Sequence, residues 1–125
     1  MKYIKHFESF GNEDVSREID NWIESNSDYI SASSLEDMLK DLIGDEEIEV
    51  SETVEKSSEG DEYGENWSTV IICAKRKGQD LMKVCVNSSG AYDFGKNSIA
   101  FRGLPKDKVV SAGFGIRFFL DKSLL

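Results

Sequence analysis

The clearest pattern in the chain is a pair of apolar segments separated by a short polar break. Residues 67–76 and 81–87 are rich in β-branched and apolar side chains, and Lys77-Gly78-Gln79-Asp80 lies between them. Because glycine tolerates positive φ, this break predicts a β-hairpin over residues 67–87. Neither face of the two arms is uniformly polar, so we expect the hairpin to be central, with other elements packed on at least one side.

Two segments upstream of the hairpin have the apolar period of an α-helix. Residues 13–25 are predicted to form the first helix, with Asn12 as its cap and acidic residues in its first turn. Residues 34–43 are predicted to form the second, with a capping box at Ser33 and Glu36 and with Gly44 just past its end. We expect both stripes to be core faces: Val15, Ile19, Trp22 and Ile23 in the first, and Leu35, Met38, Leu39, Leu42 and Ile43 in the second.

The rest of the chain shows strand-like alternation and turn residues. Residues 48–54 alternate apolar and polar side chains, which predicts a strand with one wet face, and residues 55–65 predict an acidic loop. After the hairpin, turns are predicted at residues 88–90, 95–97 and 103–107, and short strands at residues 91–94, 99–102 and 114–120.

This order of elements, helices first and strands after, predicts an α+β fold. We expect two N-terminal helices on one face of a mostly antiparallel meander sheet of five or six strands. At 125 residues, a single domain over residues 13–125 is the natural division. Residues 1–12 are then a separate N-terminal segment that either docks on the domain or detaches from it.

The composition excludes several classes of protein. No apolar run approaches the ~18 residues that a membrane-spanning helix needs, so no membrane association is expected. The first ten residues mix charged and aromatic side chains, unlike a secretory signal, so we expect a cytoplasmic protein.

Two cysteines, Cys73 and Cys85, lie on opposite arms of the predicted hairpin. If Lys77 faces Leu81, the two cysteines face each other, and a strained cross-strand disulfide is conceivable. Without an export signal, two reduced and largely buried thiols are favoured. Two thiols and the distant His6 do not provide the ligands of a zinc site, so no metal or cofactor is expected.

Charge is unevenly distributed along the chain. The formal net charge is −6 over residues 1–44, −9 over residues 45–65 and +6 over residues 66–125. We therefore expect the acidic N-terminal half to lie against the basic strands of the same molecule. Docking of the helices would then bring their acidic residues near Lys83, Arg102 and Arg117.

Catalytic chemistry has little support in the sequence. The single histidine, His6, lies outside the predicted domain, and no Gly-x-Ser-x-Gly, Walker A or His-x-x-x-His motif is present. The remaining catalytic hypothesis is an enzyme that uses a carboxylate or a cysteine, namely Asp80, Asp93 or Cys85. The sequence favours a non-enzymatic protein.

The acidic half predicts a surface that binds a protein partner, specifically a basic one. Closely spaced carboxylates can imitate the phosphates of DNA toward a protein that normally binds nucleic acid. The simpler interpretation is that the acidic residues only keep a small protein soluble. The predicted acidic surface, which the outer face of the first helix extends, consists of Asp45, Glu46, Glu47, Glu49, Glu52, Glu59, Asp61, Glu62 and Glu65.

The basic half supports an alternative function, the binding of single-stranded nucleic acid. Basic sheets with interleaved aromatic residues bind single strands by charge and by stacking. Against this, a protein of net charge −9 repels a polyanion at long range, and a core needs most of these aromatics. The alternative surface consists of Lys75, Arg76, Lys77, Lys83, Arg102 and Arg117.

The N-terminal decapeptide carries one resemblance. Its pattern, Met1-Lys2 followed by Phe7 and Phe10, resembles the short N-terminal segments of small proteins of T4-like phages. Some of those segments are head-targeting peptides, but the cleavage signature of such peptides is not matched within residues 1–10. The resemblance implies a phage accessory protein and says nothing about the remaining chain.

Overall fold

Two helices come first in the structure, as the periodicity predicts. The structure is a computed structural model, and it describes residues 12–27, 30–56, 68–87, 101–112 and 115–125. Helix α1 is Asn12–Ser25, with Glu13 and Asp14 in its first turn, where they stabilise the positive end of the helix dipole. Helix α2 is Ala32–Ile43. Among the described residues, no helix has the length and apolarity needed to cross a membrane.

The start of α2 differs from the predicted one. Ser31 is the N-cap: its hydroxyl accepts a hydrogen bond from the Ser34 amide (3.2 Å), and the Ser34 hydroxyl accepts one from the Ser31 amide (3.0 Å). The predicted box at Ser33 and Glu36 is therefore wrong by two residues, because a serine takes the place of the usual glutamate. The end was predicted correctly, since Gly44 adopts a left-handed conformation with φ of 74°.

Five antiparallel strands follow, which confirms the α+β fold. They are β1 Glu49–Lys56, β2 Ser68–Arg76, β3 Gln79–Asn87, β4 Val110–Ser111 and β5 Ile116–Leu120. Their order in the sheet is β1-β2-β3-β5-β4, so the expected meander does not extend to the last two strands. β5 carries the buried Ile116 and Phe118 and takes the inner place beside β3, which leaves the two-residue β4 at the edge.

The central hairpin of β2 and β3 turns more tightly than expected. Lys77 and Gly78 both have positive φ (54° and 76°) and form a two-residue turn. A register shift between Ala74 and Lys75 then places Cys73 opposite Lys83. The register that would place Cys73 opposite Cys85 is therefore wrong, and both cysteines are free thiols.

The two faces of the sheet contact different parts of the chain. One face shares a single apolar cluster with both helices, so the helices lie on one face, and both predicted helical stripes pack in it. On the other face, a smaller cluster forms. It consists of Cys85, Phe101 and Val109, with Ile71, Leu104 and Phe119 packed against it.

Backbone that covers the second face was only partly predicted. The turn predicted at residues 103–107 is present, with Gly103 at φ of 85° and a short 3-10 helix at Lys106–Lys108. The prediction of a strand at residues 99–102 is wrong for Phe101 and Arg102, the two of its residues that the structure describes. Phe101 begins a turn, and its carbonyl accepts a hydrogen bond from the Leu104 amide (3.1 Å). The last strand begins at Ile116, two residues later than predicted, after a turn at Gly115.

Several predictions lie outside the described residues. They concern the N-terminal segment and its phage-like pattern, the side chain of Asn12 as a cap, the turns at residues 88–90 and 95–97, and the strand at residues 91–94. The loop predicted at residues 55–65 is wrong for its first two residues, which end β1, and its remainder also lies outside the described residues.

Candidate protein-binding surface

The helical layer has an acidic outer surface. Residues 12–43 contain nine acidic residues and two basic ones. Both bases contact carboxylates on their own helix: Arg17 lies 3.3 Å from Asp14, and Lys40 lies 3.7 Å from Glu36. The helical carboxylates beyond those two pairs are Glu13, Glu18, Asp20, Glu24, Asp37 and Asp41, most of them exposed.

Asp20 shows how the helical layer meets the end of the chain. Burial raises the pKa of the Asp20 carboxyl, the charge of Lys122 opposes that rise, and the charge of Glu24 adds to it. Lys122 begins a short C-terminal 3-10 helix, Lys122–Leu124, that contacts α1. A cation from the C-terminal end of the chain therefore offsets part of the negative field at this point.

A second group of acids follows the edge of the sheet. Glu46 and Glu47 are exposed in the turn after α2, and Glu49 and Glu52 are exposed on β1. Among the described strands β1 is an edge, so these side chains lie beside a strand with one unpaired side. The other predicted members of this surface, Glu59, Asp61, Glu62 and Glu65, lie outside the described residues.

Asp45, the first residue of the predicted acidic surface, has an internal role instead. Its carboxylate accepts from the Glu47 amide (2.9 Å) and from the Arg76 guanidinium Nε (2.9 Å). These two hydrogen bonds, the amide first, lower the pKa of Asp45 below its usual range. Arg76 also donates to the carbonyl of Leu124 (2.7 Å), so one guanidinium joins the turn after α2, the hairpin and the C-terminal residues.

The basic residues of the alternative surface are not gathered on one face. Lys75 and Lys77 are exposed at the tip of the hairpin, and Arg102 is exposed in the turn after Phe101. Lys83 lies 3.4 Å from Asp80, and Arg117 donates to the Ser111 hydroxyl (2.9 Å).

The register places Lys83 and Arg117 on the face of the sheet that carries Cys85, away from the helices. The expectation that docking of the helices brings acidic residues to them is therefore wrong. The aromatics of this face are also used internally, because Phe101 is 4% exposed and Phe119 packs against its cluster.

The thiols lack the features of nucleophiles. Cys73 Sγ lies 3.5 Å from an Asp80 carboxylate oxygen. Burial raises the pKa of the Cys73 thiol, and the adjacent Asp80 charge raises it further, so the thiolate is disfavoured. Cys85 is fully buried. Among the described residues, no group of three or more His, Cys, Asp or Glu side chains is placed to hold a metal ion.

Comparisons of the chain with protein-family models, curated proteins and solved structures each find no match. The resemblance of residues 1–10 to phage proteins therefore stays a prediction.

Sequence reasoning identified the acidity but missed which acids face outward on the second helix. Asp37 and Asp41 lie four residues apart beside the apolar stripe of α2, and that spacing places them on one flank of the helix. The spacing of Asp37 and Asp41 was visible in the sequence, but it was used only to predict the helix and not to predict a surface.

Proposed function

We propose that the protein is a non-enzymatic binding module that presents an acidic surface to a basic protein partner. The observation that supports this most directly is the charge of the outer surface of the helices. Its two bases are engaged by neighbouring carboxylates, which leaves a net negative surface beside the exposed glutamates of β1. Such a field steers basic partners to the surface and repels acidic ones.

The most specific form of this proposal is mimicry of nucleic acid. Glu46, Glu47, Glu49 and Glu52 are exposed carboxylates within seven residues of chain, and Lys75 lies opposite Glu49 on the neighbouring strand. The partner would be a protein that binds phosphates with lysine and arginine. The weak phage resemblance fits an accessory protein that acts on a host nucleic-acid enzyme.

Affinity capture from a cell lysate at about 100 mM and about 500 mM salt tests the acidic surface, because salt screens exposed charge contacts. The bait proteins are the wild type, a variant with Glu18, Glu46 and Glu49 changed to Gln, and a variant with Lys75, Lys77 and Arg102 changed to Gln. We expect basic proteins that elute at the higher salt, are lost from the acid-neutralised bait and are kept by the base-neutralised bait. Partners that are acidic or insensitive to salt would contradict the proposal.

The alternative, binding of single-stranded nucleic acid, has a weaker structural basis because Phe101 and Phe119 are packed in a cluster. Fluorescence anisotropy with a labelled single-stranded oligonucleotide at about 50 mM salt separates the two proposals, since phosphate contacts weaken steeply with salt. Binding that disappears when Lys75 and Lys77 are changed to Gln would favour the alternative. These two exposed residues are chosen because Arg76 has structural contacts.

A further inference from the structure

A groove runs between α1 and α2 on the outside of the helical layer. Its lining residues extend from Glu18 on α1 to Asn26 just past its end, and from Ser34 to Leu42 on α2. At 1.5 Å per residue, the groove is about 12 Å long, or roughly two helical turns.

The floor of the groove is apolar. Met38 and Leu42 are 7% and 9% exposed and belong to the main core, and Trp22 is half-buried and packs against the same core. The backbone carbonyl of Trp22 accepts from the Asn26 side chain (2.9 Å), which fixes the end of α1 at one end of the groove. An aromatic ring held by the core but still partly open is a suitable anchor site for a partner.

Three carboxylates border this floor: Glu18 on α1, and Asp37 and Asp41 on α2. None of them takes part in the ion pairs of the described residues. No lysine or arginine is among the described residues that line the groove. The groove therefore combines an apolar base with negative charge that no lysine or arginine of the described residues neutralises.

We propose that this groove binds an amphipathic basic helix of the partner protein, an inference that rests on the function proposed above. Apolar side chains at i, i+4 and i+7 of such a helix fit a floor two turns long. Lysine and arginine on its flanks meet Glu18, Asp37 and Asp41, and one of them can lie over the ring of Trp22. A second copy of this chain is a poor occupant, because two molecules of net charge −9 repel each other.

Synthetic peptides provide the test. The probe is a leucine–lysine peptide of about 14 residues, or four turns, with its leucines at helical spacing. One comparison peptide has the same composition in scrambled order, and another has a central proline that prevents a continuous helix. Binding to the full chain is measured by calorimetry, and the indole N–H signal of Trp22 is followed by NMR, with Trp22→Phe used for its assignment.

A matched pair of double variants locates the contact. Glu18→Lys with Asp37→Lys reverses two exposed charges of the groove, and Glu46→Lys with Glu49→Lys reverses two exposed charges outside it. The net charge changes equally, and circular dichroism checks that both variants fold. We expect the groove variant to lose about tenfold or more in affinity and the matched variant to lose about threefold or less. The amphipathic peptide alone should shift the Trp22 signal.

Each other outcome overturns the inference in a recognisable way. If both double variants lose affinity equally, or the scrambled peptide binds as well, the groove is not the site, while the proposed acidic surface stands. If the proline peptide binds as well as the parent, the occupant is not a helix. A Trp22 shift that depends on protein concentration, with dimers in light scattering, would place a second copy in the groove. If no peptide binds, the groove inference fails, whereas capture of salt-sensitive basic proteins tests the broader proposal independently.

Discussion

The two faces of the sheet are closed in different ways. The helical face shares one large cluster with α1 and α2, and its fully buried members include Ile19, Leu39 and Val84. The cluster described on the opposite face is small and lies under turns and a 3-10 helix, with the polar ends of Lys83 and Arg117 nearby. Among the described residues, the helical face buries the larger apolar cluster and so contributes more to stability, because burial of apolar area dominates folding.

The largest expected effect is at the centre of the helical face. Leu39 is fully buried, so Leu39→Ala should destabilise the protein by ~2–5 kcal/mol through lost burial and the cavity it leaves. Urea denaturation followed by circular dichroism measures this. A loss below about 1 kcal/mol would mean that the helices contribute little to the core.

A smaller effect is expected on the opposite face. Val109 is 5% exposed but belongs to a small cluster at the surface of the fold, so Val109→Ala should cost about 1–2 kcal/mol. The same urea titration gives the value. If Val109→Ala costs as much as Leu39→Ala, the two faces are energetically equal and the comparison fails.

The contact between Asp45 and Arg76 joins the helical side to the hairpin, and Asp45→Asn should cost about 1 kcal/mol at neutral pH. The folded-state pKa of Asp45 is lowered, so its contribution is complete above the unfolded-state value and disappears as the pH falls through the lowered value. The stability difference between wild type and Asp45→Asn should therefore shrink below about pH 4. Glu46→Gln is the matched control, and a difference that persists at low pH would contradict the assignment.

The smallest effects are expected for the outward acids of the helical layer. Glu24 is exposed and Asp41 is half-buried at the rim of the groove. Glu24→Gln and Asp41→Asn should each change stability by less than about 1 kcal/mol, because charges at the protein surface contribute little. Chemical denaturation beside Leu39→Ala makes the comparison direct. Losses as large as that of Leu39→Ala would show that charge rather than burial holds the helices on the sheet.

The helical face could be predicted from the sequence because its signals are local. The periodic stripes and Gly44 depend on residues a few positions apart, and the structure confirms them. The start of α2 was displaced because Ser31 and Ser33 are both suitable N-cap residues, and only the backbone selects Ser31.

Contacts between distant residues could not be predicted in the same way. The register of the hairpin depends on an irregularity at Ala74 and Lys75, and no residue type at these positions indicates it in the sequence. The contact of Asp45 with Arg76 joins residues 31 positions apart, and a count of charges cannot tell a carboxylate held internally from one that faces solvent. The sequence therefore predicted that the site is acidic, but it did not predict which side chains form its surface.

The position of β1 also bears on how the protein behaves in concentrated solution. Among the described strands β1 lies at an edge, and its Val54 is 54% exposed. A bare strand edge is a template on which a strand from another copy can add, and repeated addition leads to fibres. Glu49 and Glu52 place like charges where two such edges would meet, so repulsion keeps the copies apart at neutral pH. High salt screens these charges and weakens the protection, so the protein becomes more prone to aggregate.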